Sequence, residues 1–135
     1  MSQKLIRSLL QGRLNTFATA RTLPVAWENV QFVPPAGQYL RFNLLKAPTD
    51  SADLAGAHRE YSGVCQISVF VPKGKGPTEA ETLAADIAEL FPLNDRLTSG
   101  SFALQITSPC SEGPPINEDT HFMLPVSFTY RADTI

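Results

Sequence analysis

Apolar and polar side chains recur along the chain with two periods, and these periods divide it into helices and strands. Over the first 21 residues the apolar positions are three and four residues apart, which places them on one side of a helix. They are Leu5, Ile6, Leu9, Leu10, Leu14 and Phe17. The same spacing returns over about 79–91, where Pro92 ends it. The sequence therefore predicts an N-terminal helix and a central helix.

One residue of the first helix does not fit its apolar side. Arg13 falls between Leu9 and Ile6 on the helical wheel. An arginine in that position must extend its charge to the solvent, pair with an acid or contact another subunit, because an unpaired buried charge is costly. The sequence pattern leaves these three alternatives open.

Strict alternation of apolar and polar residues predicts strands at 39–45, 61–72, 101–108 and 122–130. The alternation is strongest in the strand at 61–72, which we expect to be central. A shorter extended piece is predicted around Val30–Val33. Pro125 lies inside the last strand and has no N–H to donate, so we expect an edge or a bulge there. An unpaired edge would be a docking site.

The segments between these elements are long and polar. Residues 47–60 form a predicted loop or flap, and residues 109–121 form an extended acidic link. The glycine-rich turn at 73–77 precedes the central helix, where Thr78 and Glu81 have the spacing of a capping box. The predicted fold is one α+β domain over 1–135, with two helices and a mostly antiparallel sheet of about four to five strands.

The amino-acid composition disfavours several classes of function. The net charge is −2 over 135 residues, which disfavours nucleic-acid binding, and no apolar run is long enough to span a membrane. Charged residues make up only 18%, against about 25% in a typical protein, as expected if some surface is buried in an assembly. Four basic residues precede the first acidic residue, Glu28, and the rest of the chain contains seven basic and 13 acidic side chains. This asymmetry would allow successive copies to attract each other. The four are Lys4, Arg7, Arg13 and Arg21.

Residues that could carry chemistry are few and poorly arranged. Cys65 and Cys110 have no histidine or cysteine neighbour at metal-binding spacing, and His58 and His121 lie in separate polar segments. The lysine-glycine turn lacks the spacing of a phosphate-binding loop. We therefore expect no enzyme, no cofactor and no metal. The alternative is a small enzyme or ligand-binding domain with a pocket between helix and sheet.

Several stretches, taken in order, resemble phage and prophage tail terminator proteins. Residues 25–35 read VAWENVQFVPP and are followed by Tyr39-Leu40-Arg41; residues 63–76 read GVCQISVFVPKGKG. The central helix ends with the sequence ELFP, and residues 126–131 read VSFTYR, similar to the closing strand of that family. The resemblance extends from about residue 5 to residue 131.

The resemblance implies a small α+β protein that assembles as a ring, typically of six subunits, on the end of the tail tube. It implies no catalytic or cofactor residues. Its partners would be further copies of itself, the tail tube protein and a head-completion or connector protein. Its location would be the virion tail, and the host cytoplasm during assembly. Another neck or connector subunit of the same virion remains an alternative. The candidate interface residues are Arg7, Arg13, Arg41, Lys73, Lys75, Pro125 and Arg131.

Overall fold

The computed structural model describes residues 2–51, 54 and 56–134, which form two helices and eight strands. The helices and the long strands lie where the two periods predict them. In chain order the elements are α1 Ser2–Ala20, β1 Val25–Ala26, β2 Tyr39–Lys46, β3 Arg59–Pro72, α2 Thr78–Leu90, β4 Arg96–Ser99, β5 Phe102–Ile106, β6 Ser111–Glu112, β7 Ile116–Asn117 and β8 His121–Thr134.

All eight strands belong to one sheet, whose main order is β1-β2-β3-β8-β5-β4, with β6 and β7 also paired to β8. The short β1 runs parallel to β2, and the other neighbouring strands are antiparallel. The centre of the sheet is the β3–β8 pair, which keeps one register from Arg59 opposite Thr134 to Pro72 opposite His121. The central position expected for the strand at 61–72 is confirmed.

Both helices cover the same face of the sheet. The buried side of α1 consists of Ile6, Leu10, Leu14 and Ala18, and the buried side of α2 consists of Ala80, Leu83, Ala84 and Ile87. They form one apolar cluster with alternate residues of the long strands. The opposite face has no helix over it in the described chain. It carries a smaller cluster of Tyr39, Phe70 and Met123.

The expected count of four to five strands was too low, because four short strands lack a readable alternation. The first, β1, lies at Val25–Ala26 and not at the predicted 30–33, which pairs with no strand in the described structure. In β4 only Leu97 is buried. The link at 109–121 contributes β6 and β7, of two residues each.

The expected edge at Pro125 was wrong, but a bulge does lie opposite it: between the Glu112–Val126 and Ile116–Met123 pairs, the β6–β7 side has three residues and β8 has two. Pro125 lies opposite Ser68 in the unbroken register with β3, and its carbonyl accepts the Gly113 N–H at 2.8 Å on the other side. The N–H and C=O of a strand residue point the same way. The missing donor of Pro125 therefore faces the gap between β6 and β7, where no ladder bond is lost.

The capping box at the start of α2 was also wrong. Thr78 is the first residue of the helix, Pro77 occupies the cap position, and no side chain caps the helix. The Thr78 carbonyl instead accepts the Thr82 hydroxyl at 2.9 Å. Glu79 and Glu81 lie in the first turn, where their charges interact favourably with the helix dipole.

Candidate assembly surfaces

The arginines of α1 are bound within their own chain. Arg7 pairs with Glu28, Arg13 with Asp95 at 2.5 Å and Arg21 with Asp86 at 2.5 Å. Each pair joins α1 to a different segment of the fold. The basic start of the chain is therefore largely neutralised inside the subunit, which leaves little of it to attract a second copy.

Arg13 resolves the conflict in the apolar pattern by pairing with an acid. Its guanidinium donates to the Asp95 carboxylate and also to the Leu90 carbonyl at 3.1 Å, at the C-terminal end of α2. Hydrogen bonding from Arg13 is the main reason that the pKa of Asp95 lies below its usual value. The ion pair predicted as one alternative is confirmed.

Replacing Arg13 with alanine should lower the free energy of unfolding by about 1 kcal/mol and the melting temperature by roughly 3–5 °C. The variant loses the Asp95 pair, the bond to Leu90 and the packing of the aliphatic stem. Arg21→Ala is the matched control, because its side chain is 45% exposed against 28% for Arg13, and it should change stability by less than about 0.5 kcal/mol. Equal thermal melts for the two variants would contradict this assignment.

Arg41 and Arg131 lie on the sheet face that has no helix over it. The Arg41 guanidinium stands 4.7 Å from the centre of the Phe70 ring, which also stacks on Tyr39 at 4.3 Å. Arg131 lies toward the other end of the β3–β8 pair, 3.6 Å from Glu60 and 3.3 Å from Asp133. This face therefore has a cationic-aromatic end and an ionic end.

Lys73 and Lys75 lie in the exposed turn between β3 and α2. Gly74 and Gly76 in this turn have φ angles of 94° and 79°, a backbone region that favours glycine. Lys73 borders grooves of about 510 and 580 Å³ on its two sides. In the described structure neither lysine has an ion pair. The turn therefore carries two free positive charges at the end of the sheet.

A further groove of about 740 Å³ lies between α1 and the 27–30 turn. Sequence patterns missed it, since it forms only when the polar side of α1 faces that turn. Its walls include Gln11, Asn15 and the exposed Val30, and the Arg7–Glu28 pair lies in it. Polar and apolar atoms contribute about equally to its lining, and the groove is open to solvent, as expected of a surface depression.

The two cysteines and His121 lie in buried or partly buried positions of the fold. Cys65 is fully buried in β3, and burial raises the pKa of its thiol far above the usual value; burial also raises the pKa of Cys110 to about 11. Both thiols are therefore protonated and weakly nucleophilic at neutral pH. His121 is buried, with Nε2 3.0 Å from the Gly37 carbonyl and Nδ1 2.8 Å from the Thr120 hydroxyl.

Neither a metal site nor a membrane-spanning helix is found in the part of the chain that the structure describes. Its residues contain no group of three or more side chains placed to hold a metal ion. Neither described helix is long and apolar enough to cross a membrane. The interface between helices and sheet, where a ligand pocket was the alternative, is filled by the apolar cluster in the described chain.

Comparison with known proteins decides the family. The sequence model of the phage tail terminator protein family matches residues 5–130. The chain belongs to this family. One solved structure, 45% identical to this terminator-family chain, superposes on it with a TM-score of 0.83, covering 98% of this chain and 96% of its own. No curated protein sequence matches significantly.

Membership confirms the resemblance seen in the sequence. Tail terminator family proteins are structural proteins of phage, so this chain is a structural component of a phage tail. The family match covers α2, α1 from residue 5 onward, and all the strands except the last four residues of β8. The candidate interface residues stay predictions, because a single subunit does not show its neighbours.

Proposed function

We propose that this protein forms a closed ring, expected to contain six subunits, on the end of the tail tube. There it stops tube polymerisation and presents the surface that joins the head. The observation that carries the proposal is the match to the terminator family over residues 5–130. Assembly would take place in the cytoplasm of the bacterial host.

A tube grows by repeating one contact between unlike surfaces, so a subunit that ends it must provide one of those surfaces and lack the other. The two ends of the β3–β8 pair carry different charged groups. At one end lie Lys73 and Lys75, which have no ion pair among the described residues, and at the other lies the ionic cluster of Glu60, Arg131 and Asp133. One end would contact the tail tube protein and the other the head-completion or connector protein.

Contacts between subunits would depend mainly on apolar packing and backbone hydrogen bonds. The arginines of α1 already pair inside the chain, and an exposed ion pair contributes only about 0–1 kcal/mol. Apolar side chains that remain exposed in the described structure include Val30, Val33, Leu45, Leu93 and Ile116. Burying these residues in a ring would release ordered water and stabilise it.

Disrupting the gene in its parent phage or prophage and imaging the particles by electron microscopy tests the proposal. We expect over-long tails without heads, and recovery when the wild-type gene is supplied in trans. Normal-length tails joined to heads would reject the proposal. Normal-length tails left unjoined would instead assign the protein to another neck or connector position.

A further inference from the structure

The two outer strands of the sheet are β1 and β4. On the β4 side the sheet ends in a strand of four residues, three of them exposed. Within the described chain β4 pairs with β5 alone. Arg96–Ser99 is therefore one free edge of the sheet, far from the edge or bulge predicted at Pro125.

The register shows which backbone groups point away from the sheet. Ile106 donates its N–H to the Asp95 carbonyl at 3.0 Å, and bonded and non-bonded pairs alternate along an antiparallel ladder. Leu97 and Ser99 consequently bond to β5, while Arg96 and Thr98 face outward. The Arg96 N–H lies beside the Asp95 carboxylate and contributes to its lowered pKa. Because β4 has no second neighbouring strand among the described residues, the outward N–H and C=O of Thr98 have no ladder partner.

A second segment of the chain is suited to a strand but has no strand partner. Residues 30–33 read Val-Gln-Phe-Val, a composition rich in β-forming side chains. Within the described structure the N–H groups of Gln31, Phe32 and Val33 make no backbone hydrogen bond, and the Val33 side chain is 81% exposed. Phe32 holds the segment by packing its ring 5.3 Å from that of Tyr39.

These two unpaired elements lie at opposite ends of the same sheet. Residues 30–33 connect β1 to β2, at the end opposite β4. A contact between β4 of one copy and residues 30–33 of the next is heterologous, the kind of contact that generates rings. Pro34 and Pro35 follow the segment and, having no N–H, would keep the added strand short.

We propose that the β4 edge of each subunit pairs with residues 30–33 of a neighbouring copy, so that the sheet continues from subunit to subunit around the ring. This inference rests on the proposed function, since it names the contact that closes the ring. Thr98 supplies the outward backbone donor and acceptor. Val33 and Leu93, the latter 46% exposed just before β4, would be covered on assembly.

Thr98→Pro tests the pairing, with Thr98→Ala as the matched control. Proline removes the outward N–H while leaving the Leu97 and Ser99 donors to β5, and edge strands tolerate proline in that position. Each variant would be supplied to the gene-disrupted phage. We expect Thr98→Ala to restore normal tails and Thr98→Pro to lower the yield of joined particles at least about tenfold. Gln31→Pro, on the other side of the contact, should give the same loss.

Hydrogen exchange on the wild-type protein gives a second readout that does not depend on a variant folding. Amides in 30–33 and 96–99 should exchange at least about tenfold more slowly in purified tails than in the free protein. Amine cross-linking of the same tails reports whether a ring is present. Ring-sized products without protection at both segments, or normal tails with Thr98→Pro, would overturn the pairing and leave the ring proposal standing. Wild-type tails without ring-sized products would overturn both.

Discussion

Replacing Gly63 with alanine should lower the free energy of unfolding by about 3 kcal/mol, the upper part of the range for over-packed cores. A Cβ on Gly63 would overlap the carbonyl oxygen of Leu45 and lie 2.6 Å from the Tyr130 hydroxyl oxygen. The Leu45 atom belongs to the backbone of β2, directly beside β3. It cannot retreat without breaking that ladder. Urea unfolding followed by circular dichroism measures the loss.

Gly12→Ala is the control, because it adds the same methyl group at a position where there is room for it. Gly12 lies in α1, and nothing would come within 4 Å of its added Cβ. Alanine is the better helix former by about 0.5–1 kcal/mol, so this variant should be slightly more stable than the wild type. Over-packing usually costs roughly 1–3 kcal/mol. If the free energy of unfolding of Gly63→Ala lay within about 1 kcal/mol of the wild-type value, the close approach of Gly63 to the Leu45 carbonyl would be contradicted.

A loss of about 3–5 kcal/mol is expected for Phe91→Ala, because a cavity would open where three elements meet. Phe91 is fully buried at the end of α2 and stacks on Phe128 of β8, with ring centres 4.8 Å apart. The Arg13 guanidinium from α1 lies 5.9 Å from the centre of its ring. The variant would therefore weaken contacts of both helices with the sheet.

Leu93→Ala serves as the comparison for Phe91→Ala. Leu93 is only two residues farther along but is 46% exposed, so its truncation should cost less than about 1 kcal/mol. Both variants can be measured by urea unfolding. Similar losses for the two would mean that Phe91 does not connect the helices to the sheet as described.

Hydrophobic periodicity alone determined both helices, their buried sides and the cores of β2, β3, β5 and β8. The reason is that each of these elements buries one face along most of its length, and burial leaves a period of 3.6 or 2 in the sequence. The conflict at Arg13 was equally visible, since a charge inside an apolar arc needs a partner. The family was also recognisable from the sequence, because its motifs occur in this chain in the family's order.

Only the tertiary structure decided features that depend on which segments meet. The short strands have too few residues to show a period, and β4 has one buried side chain, so they exist only because a neighbouring strand is beside them. The sequence could not decide between an edge and a bulge at Pro125, because the missing N–H is harmless here only where β6 and β7 leave a gap. The acids that pair with Arg13 and Arg21 are 82 and 65 residues away. The free β4 edge follows from the order of strands, which local patterning does not encode.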